Sequence, residues 1–122
     1  MKIVIPVDEK TLDSGVCASF GRAPYFLIYD METKENNFID NPAAKSTGGA
    51  GIKAAQLIID NGAKALLTPR LGQNAAEVLE AAEIKLYKSI DAPAGKNIEA
   101  FVAGELPVLK EIHAGFHRHG GR

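Results

Sequence analysis

From residue 48 to residue 104 the chain alternates between amphipathic segments of helical period and short apolar runs. Helices are predicted over residues 52–61 and 75–82, with Ile52 and Ala82 on their apolar faces, and a third helix is predicted from a cap at Asn97 to Gly104. The runs between them, residues 63–68 and 84–87, are predicted strands. Strands separated by helices are parallel and joined by right-handed crossovers, so this alternation restricts the second half to an α/β fold.

The first half of the chain contributes strands of a different kind. Residues 3–7 form a β-branched run typical of a strand that is buried on both faces. Residues 25–30 are rich in aromatic and β-branched side chains, and residues 36–40 provide an antiparallel return strand. An N-terminal strand and a hairpin followed by αβαβα predict a three-layer domain with a five-stranded mixed sheet.

Length and composition limit the possible functions. A chain of 122 residues with 46% hydrophobic content is expected to form one domain, over residues 1–112, before a flexible His/Gly-rich tail at 113–122. The net charge of −1 gives no overall attraction to nucleic acid or to an anionic membrane. Neither a secretory signal nor a membrane span is recognisable, which predicts a cytoplasmic location.

Residues 46–51 (STGGAG) form a glycine-rich turn that runs directly into the first predicted helix. Backbone N–H groups at the positive end of a helix can bind an anion, with Arg22 and Arg70 as the candidate partners. The turn lacks the Lys-Ser/Thr of a phosphate loop, which argues against nucleotide hydrolysis. Two alternatives stay open: the turn simply permits close packing, and Arg22 hydrogen-bonds loop carbonyls.

Metal ligands are few in this sequence. Cys17 is the only cysteine, so an intramolecular disulfide and a four-cysteine metal site are excluded within one chain. Its thiolate would suit copper(I), iron or a molybdenum–sulfide group, although a small buried side chain is the alternative. His113, His117 and His119 are further candidate ligands if the tail folds back, and otherwise belong to a disordered basic end.

Four motifs occur in one order: FGRAPYF at 20–26, NP at 41–42, GGAG at 48–51 and GQNA at 72–75. Over residues 1–106 this set resembles the dinitrogenase iron–molybdenum cofactor biosynthesis family, the NifX-like and NifB C-terminal-like domains, as a short stand-alone member. The resemblance implies a ribonuclease-H-like fold. It also implies binding, carrying or assembly of a metal–sulfur cluster without a catalysed reaction. Many members have histidine where this chain has Ser19, and glycine where it has Glu83.

The sequence therefore predicts a non-enzymatic carrier of an anionic cluster that contains molybdenum with iron or copper. A cluster donor or acceptor protein is the expected partner, and the chain is expected to be a monomer or weak homodimer. A regulatory module for a phosphorylated or carboxylate ligand is the alternative, and a magnesium-dependent hydrolase that uses Asp8 is a third. The residues predicted to contact the cluster or anion are Ser19, Arg22, Asn41, Gly48, Gly49, Ala50, Gly51, Arg70, Gln73 and Asn74.

Overall fold

The computed structural model describes residues 1–110 and 112–113, and it contains the predicted order of strands and helices. The three α-helices are α1 (Ala50–Asp60), α2 (Gln73–Ala81) and α3 (Ala94–Val102). A short 3-10 helix at Pro42–Lys45 precedes α1. The strands are β1 (Lys2–Val7), β2 (Tyr25–Asp30), β3 (Asn36–Asp40), β4 (Ala63–Thr68), β5 (Leu71–Gly72), β6 (Lys85–Lys88) and β7 (Ile112–His113).

Five strands form one mixed sheet in the order β3-β2-β1-β4-β6. Strands β1, β2 and β3 pair antiparallel, with Val7 opposite Tyr25 and Tyr25 opposite Asp40. Strands β4 and β6 continue the sheet in parallel with β1, as the alternating second half predicts. The predicted five-stranded mixed α/β fold is confirmed. A second sheet, the parallel pair β5 and β7, was not predicted.

Helices cover both faces of the sheet. Val4 and Leu66 point into a core shared with α1 and α2, whereas their neighbours Ile3 and Leu67 point into the core beneath α3. Side chains of successive strand residues project to opposite faces, which explains why residues 3–7 of β1 and 65–67 of β4 are all apolar. No helix in the described ranges is long and apolar enough to cross a membrane.

Three details of the predicted helices are wrong. Helix α3 begins at Ala94, and Asn97 is buried inside it. The Asn97 amide instead accepts from the Ile90 N–H at 2.8 Å and donates to the Ala92 carbonyl at 3.0 Å, which fixes the loop before the helix. Ile52 is 44% exposed because it lies off the face of α1 that carries the buried Ala54 and Ile58. Ala82 is exposed after the last residue of α2.

The loops predicted to form the site all leave one edge of the sheet. Parallel β1, β4 and β6 end at this edge, and the pairing of Val7 with Tyr25 and of Tyr25 with Asp40 brings the start of β2 and the end of β3 there too. Carboxyl ends of parallel strands are where open α/β sheets usually bind ligands. We call this edge the loop edge.

Candidate functional site at the loop edge

The glycine-rich turn leads into α1 without a side-chain cap. Gly49 occupies the N-cap position with φ of 69°, a left-handed conformation that glycine adopts without strain. No side chain hydrogen-bonds to the first turn of α1, and that turn contains no acidic residue. A Cβ atom at Gly48 or Gly49 would have no atom within 4 Å, so the turn faces open space. No side-chain cap therefore neutralises the positive end of α1 beside this exposed turn.

Helix α2 also begins without a side-chain cap. Its N-cap is Gly72, and neither Gln73 nor Asn74 caps the helix with its side chain. Gln73 is the first helical residue, and its amide donates to the Glu77 carboxylate at 3.2 Å. Asn74 is exposed in the same first turn, which again contains no acidic residue. The positive end of α2 is thus not neutralised by its own side chains.

The first turns of α1 and α2 lie next to each other. A Cβ atom added to Gly51 would stand 3.4 Å from the Cβ of Ala75, which belongs to the first turn of α2. Each helix end carries about half a positive charge in its exposed N–H groups. Two such ends side by side make this part of the loop edge electropositive in a protein whose net charge is −1.

Gly21 and Asn41 hold the preceding loops against this helix pair. A Cβ atom at Gly21 would lie 2.8 Å from the backbone nitrogen of Gly51, so only glycine permits the observed approach. The buried Asn41 amide donates to the carbonyls of Gly21 and Ala23, at 3.2 and 2.8 Å, and accepts from the Ala43 N–H at 3.2 Å. The structure therefore gives Asn41 a positioning role in place of the predicted contact with a ligand, because backbone groups occupy its amide.

Arg22 supports the segment that precedes the turn. Its guanidinium donates from Nη1 to the carbonyls of Ala44, at 3.1 Å, and Ser46. The Lys53 ammonium donates to the Ser46 hydroxyl at 2.7 Å. Arg22 thus hydrogen-bonds loop carbonyls, which is the alternative that the sequence left open for it. Both side chains are exposed, and they place two positive charges beside the segment that leads into α1.

Cys17 is half-buried and packs against the core beneath α1 and α2. Its backbone N–H donates to the Pro6 carbonyl at 2.8 Å, and its thiol donates to the Ser19 carbonyl at 3.6 Å. Burial raises the pKa of the Cys17 thiol, and the Asp8 carboxylate raises it further against an opposing contribution from the Ser19 backbone. The exposed Ser19 side chain lies beside Cys17 in the loop after β1.

Strand β7 brings basic side chains to the start of α2. Ile112 pairs with Leu71 and His113 pairs with Gly72, so His113 lies in a strand at the first position of the predicted tail. The imidazole Cε1 would be 3.5 Å from a Cβ atom at Gly72. Arg70, Lys110, Ile112 and His113 line a cavity of about 280 Å³. His117 and His119 lie outside the described residues.

A larger cleft of about 670 Å³ lies between the loops after β1, β4 and β6. Its walls include Asp13 and Val16 from the first loop, Pro69 from the second, and Ser89 and Asp91 from the third. Neither this cleft nor the smaller cavity is lined by the glycine-rich turn, of which residues 47–49 are exposed. Residues 88–93, Lys110 and Ile112 were not predicted to line a cavity at this edge.

Bare metal ions have no clustered ligand set in the described part of the chain. No group of three or more His, Cys, Asp or Glu side chains there is placed to hold a metal ion. Structural zinc and iron–sulfur sites usually need four protein ligands. Cys17 and His113 could each donate one bond, whereas the backbone N–H groups and basic side chains could hold a preformed anion by charge.

The fold and the loop edge define a small three-layer α/β domain with adjacent, uncapped helix N-termini among basic side chains. The chain matches the dinitrogenase iron–molybdenum cofactor family over residues 1–104, and it belongs to that family. The resemblance inferred from the four ordered motifs is confirmed. No curated protein gives a significant match to the chain.

Solved structures support this assignment. The apo form of the orange protein from Desulfovibrio gigas shares 32% identity over 90% of this chain and 93% of that chain, with a TM-score of 0.84. A Thermotoga protein provisionally named NifB shares 34% identity over 98% of each chain, with a TM-score of 0.80. A Methanocaldococcus jannaschii protein provisionally named a dinitrogenase is similar in fold, at 21% identity over 91% of this chain and 96% of that chain, with a TM-score of 0.69.

Proposed function

We propose that this protein binds and carries an anionic metal–sulfur cluster, containing molybdenum with iron or copper, without catalysing a reaction. The adjacent, uncapped N-termini of α1 and α2 carry this proposal. Membership of the dinitrogenase iron–molybdenum cofactor family supports the choice of a molybdenum-containing cargo. The likeness to the orange protein and to the Thermotoga protein supports a small carrier domain.

Charge explains how such a cargo would be held. A molybdenum–sulfide cluster is a multiply charged anion, and preformed N–H groups at helix ends bind anions without reorganisation. Arg22 and Lys53 stand beside the turn, and Arg70 stands beside the start of α2. These groups would offset the charge of the cluster without a bond to metal.

One or two bonds to metal would then fix the cluster. Cys17 is our first candidate, because thiolate suits copper(I), iron and molybdenum–sulfide chemistry. Its raised pKa means that binding must displace a proton from the thiol. His113 is the second candidate, and participation by His117 and His119 remains a proposal. Ser19, which stands where many family members have histidine, would contribute only its hydroxyl.

We also propose how the carrier works in the cell. A carrier needs a donor or an acceptor of its cargo, so a cluster-assembly protein is the expected partner, in the cytoplasm. The chain is expected to act as a monomer or weak homodimer.

The first test measures cargo directly. Protein purified anaerobically is analysed for metals and then titrated with tetrathiomolybdate and copper(I), while visible absorbance is followed. We expect a coloured, stoichiometric complex. A colourless protein that also refuses every added cluster would contradict the carrier function. Tight binding of phosphate or small carboxylates without colour would instead favour the regulatory module.

Arg22→Ala tests the turn within this site. Without Nη1 the carbonyls of Ala44 and Ser46 lose their common donor, and the turn loses one adjacent charge. We expect cluster uptake to weaken by more than about tenfold, which is about 1.4 kcal/mol, with the fold intact by circular dichroism. Lys45→Ala is the matched control, because Lys45 is an exposed cation of the same segment. Equal uptake by the two variants would count against a role for Arg22.

A further inference from the structure

The cavity beside β7 is lined by several basic side chains. Arg70 and Lys110 both line it, together with Ile112 and His113. Within residues 1–110 and 112–113, neither the Arg70 guanidinium nor the Lys110 ammonium has a hydrogen-bond or ion-pair partner. Like charges that share a cavity repel each other, so this arrangement gains stability when an anion enters.

Backbone geometry adds to the charge of this cavity. Gly72, which pairs with His113, is the N-cap of α2, and no side chain caps that helix. The cavity is therefore adjacent to the positive end of a nine-residue helix. Three basic side chains, one helix end and a volume of about 280 Å³ suit a compact anion better than an extended one.

The walls of this cavity come from two distant parts of the chain. Arg70 follows β4, within the family match, whereas Lys110 and His113 lie beyond residue 104, where that match ends. Pairing of β5 with β7 brings the two parts together. The segment after residue 104 thus adds two basic side chains to the loop edge, and both lie outside the part of the chain that the family match covers.

We propose that this cavity is a subsite within the loop-edge site, for a tetrahedral dianion of the molybdate, thiomolybdate or phosphate type. Arg70 supplies a planar fork of donors, and Lys110 supplies a mobile point charge. The positive end of α2, next to the cavity, adds a favourable potential for an anion. The subsite adds a binding place for the cargo of the proposed function. It rests on that function only for the expectation that molybdate or thiomolybdate binds more tightly than phosphate.

Calorimetric titration at low ionic strength tests the subsite. The full chain is titrated separately with molybdate, tetrathiomolybdate and inorganic phosphate, as are Arg70→Gln, Lys110→Gln and the double variant. We expect each single variant to bind the dianion about tenfold more weakly, and the double variant more weakly still. Lys64→Gln is the matched control, because Lys64 is an exposed lysine near the opposite end of the sheet. Its affinity should equal that of the parent.

The outcomes separate this inference from the carrier function. Equal affinity of the parent and the double variant for all three anions would overturn the subsite, even if cluster uptake is normal. A different result is a parent that binds a dianion but no metal–sulfur cluster, together with a double variant that loses dianion binding. That result would uphold the subsite and reject the carrier function. Stronger binding of molybdate or thiomolybdate than of phosphate assigns the subsite to molybdenum, and the reverse order assigns it to phosphate.

Discussion

Asn74→Asp changes one charge at the start of α2 while nearly preserving the shape of the side chain. Asn74 is exposed and lies in the first turn of the helix, which has neither a side-chain cap nor an acidic residue. A carboxylate there interacts favourably with the helix dipole, by about 0.3–1 kcal/mol. We therefore expect the free protein to become more stable, with a melting temperature about 1–4 °C higher.

The same substitution should weaken anion binding. A carboxylate about 6 Å from a bound unit charge in water costs about 0.7 kcal/mol, hence about 1.4 kcal/mol for a dianion. That free energy corresponds to about a tenfold loss of affinity. Screening by salt should reduce the loss, because the position is exposed. Stability and affinity are thus expected to change in opposite directions.

Thermal unfolding and titration with tetrathiomolybdate plus copper(I), at two salt concentrations, measure both effects. Asn37→Asp is the matched control, since Asn37 is an exposed residue of the edge strand β3 and the change in net charge is the same. The control should leave both quantities unchanged. If Asn74→Asp stabilises the fold and binds the cluster as tightly as the parent, the start of α2 is not part of the site.

Three other changes test the supporting structure. Gly21→Ala should lower the free energy of unfolding by about 1–3 kcal/mol and displace its loop, because the new Cβ would lie 2.8 Å from the Gly51 nitrogen. Chemical denaturation measures this loss. Gly15→Ala is the control and should be nearly neutral, because the space around Gly15 is open. Glu83→Gly should stabilise the fold by about 0.5–1 kcal/mol in the same assay, because Glu83 has a φ of 63°, and an unchanged midpoint would contradict this. If Cys17 bonds to the cluster, the affinity for the cluster should rise about tenfold per pH unit between about pH 6 and about pH 8, because a thiol of raised pKa must release its proton. A Cys17→Ser variant whose affinity depends on pH in the same way would exclude a bond from the thiol. Above about pH 8.5 the parent should lose stability, since the unfolded thiol ionises first.

Local patterns account for the parts of the fold that were predicted correctly. The β-branched run at residues 3–7 lies in β1, and the aromatic run at 25–30 forms β2. Both could be predicted because the periodicity and apolar character of a strand are visible in consecutive residues. The unusual Glu83 also has a local explanation: it adopts the left-handed conformation for which glycine is favoured. The order of elements then left few possible topologies.

Several features of the loop edge had no local signal. Asn97 resembles a helix cap in sequence, but its amide is committed to the loop before α3. Strand β7 has two residues, too few for a period, and its pairing with β5 joins segments about 40 residues apart. Sequence reasoning therefore could not place Lys110 beside Arg70.

By itself the sequence determined the class of fold, the family and the glycine-rich turn, because glycines, apolar periods and ordered motifs are properties of neighbouring residues. Only the tertiary structure decided what lies beside that turn. Packing of α1 against α2 brings their N-termini together, and Gly21 and Asn41 fasten the loops around them. Charges become a site when they are close in space, and that closeness depends on how helices and strands pack.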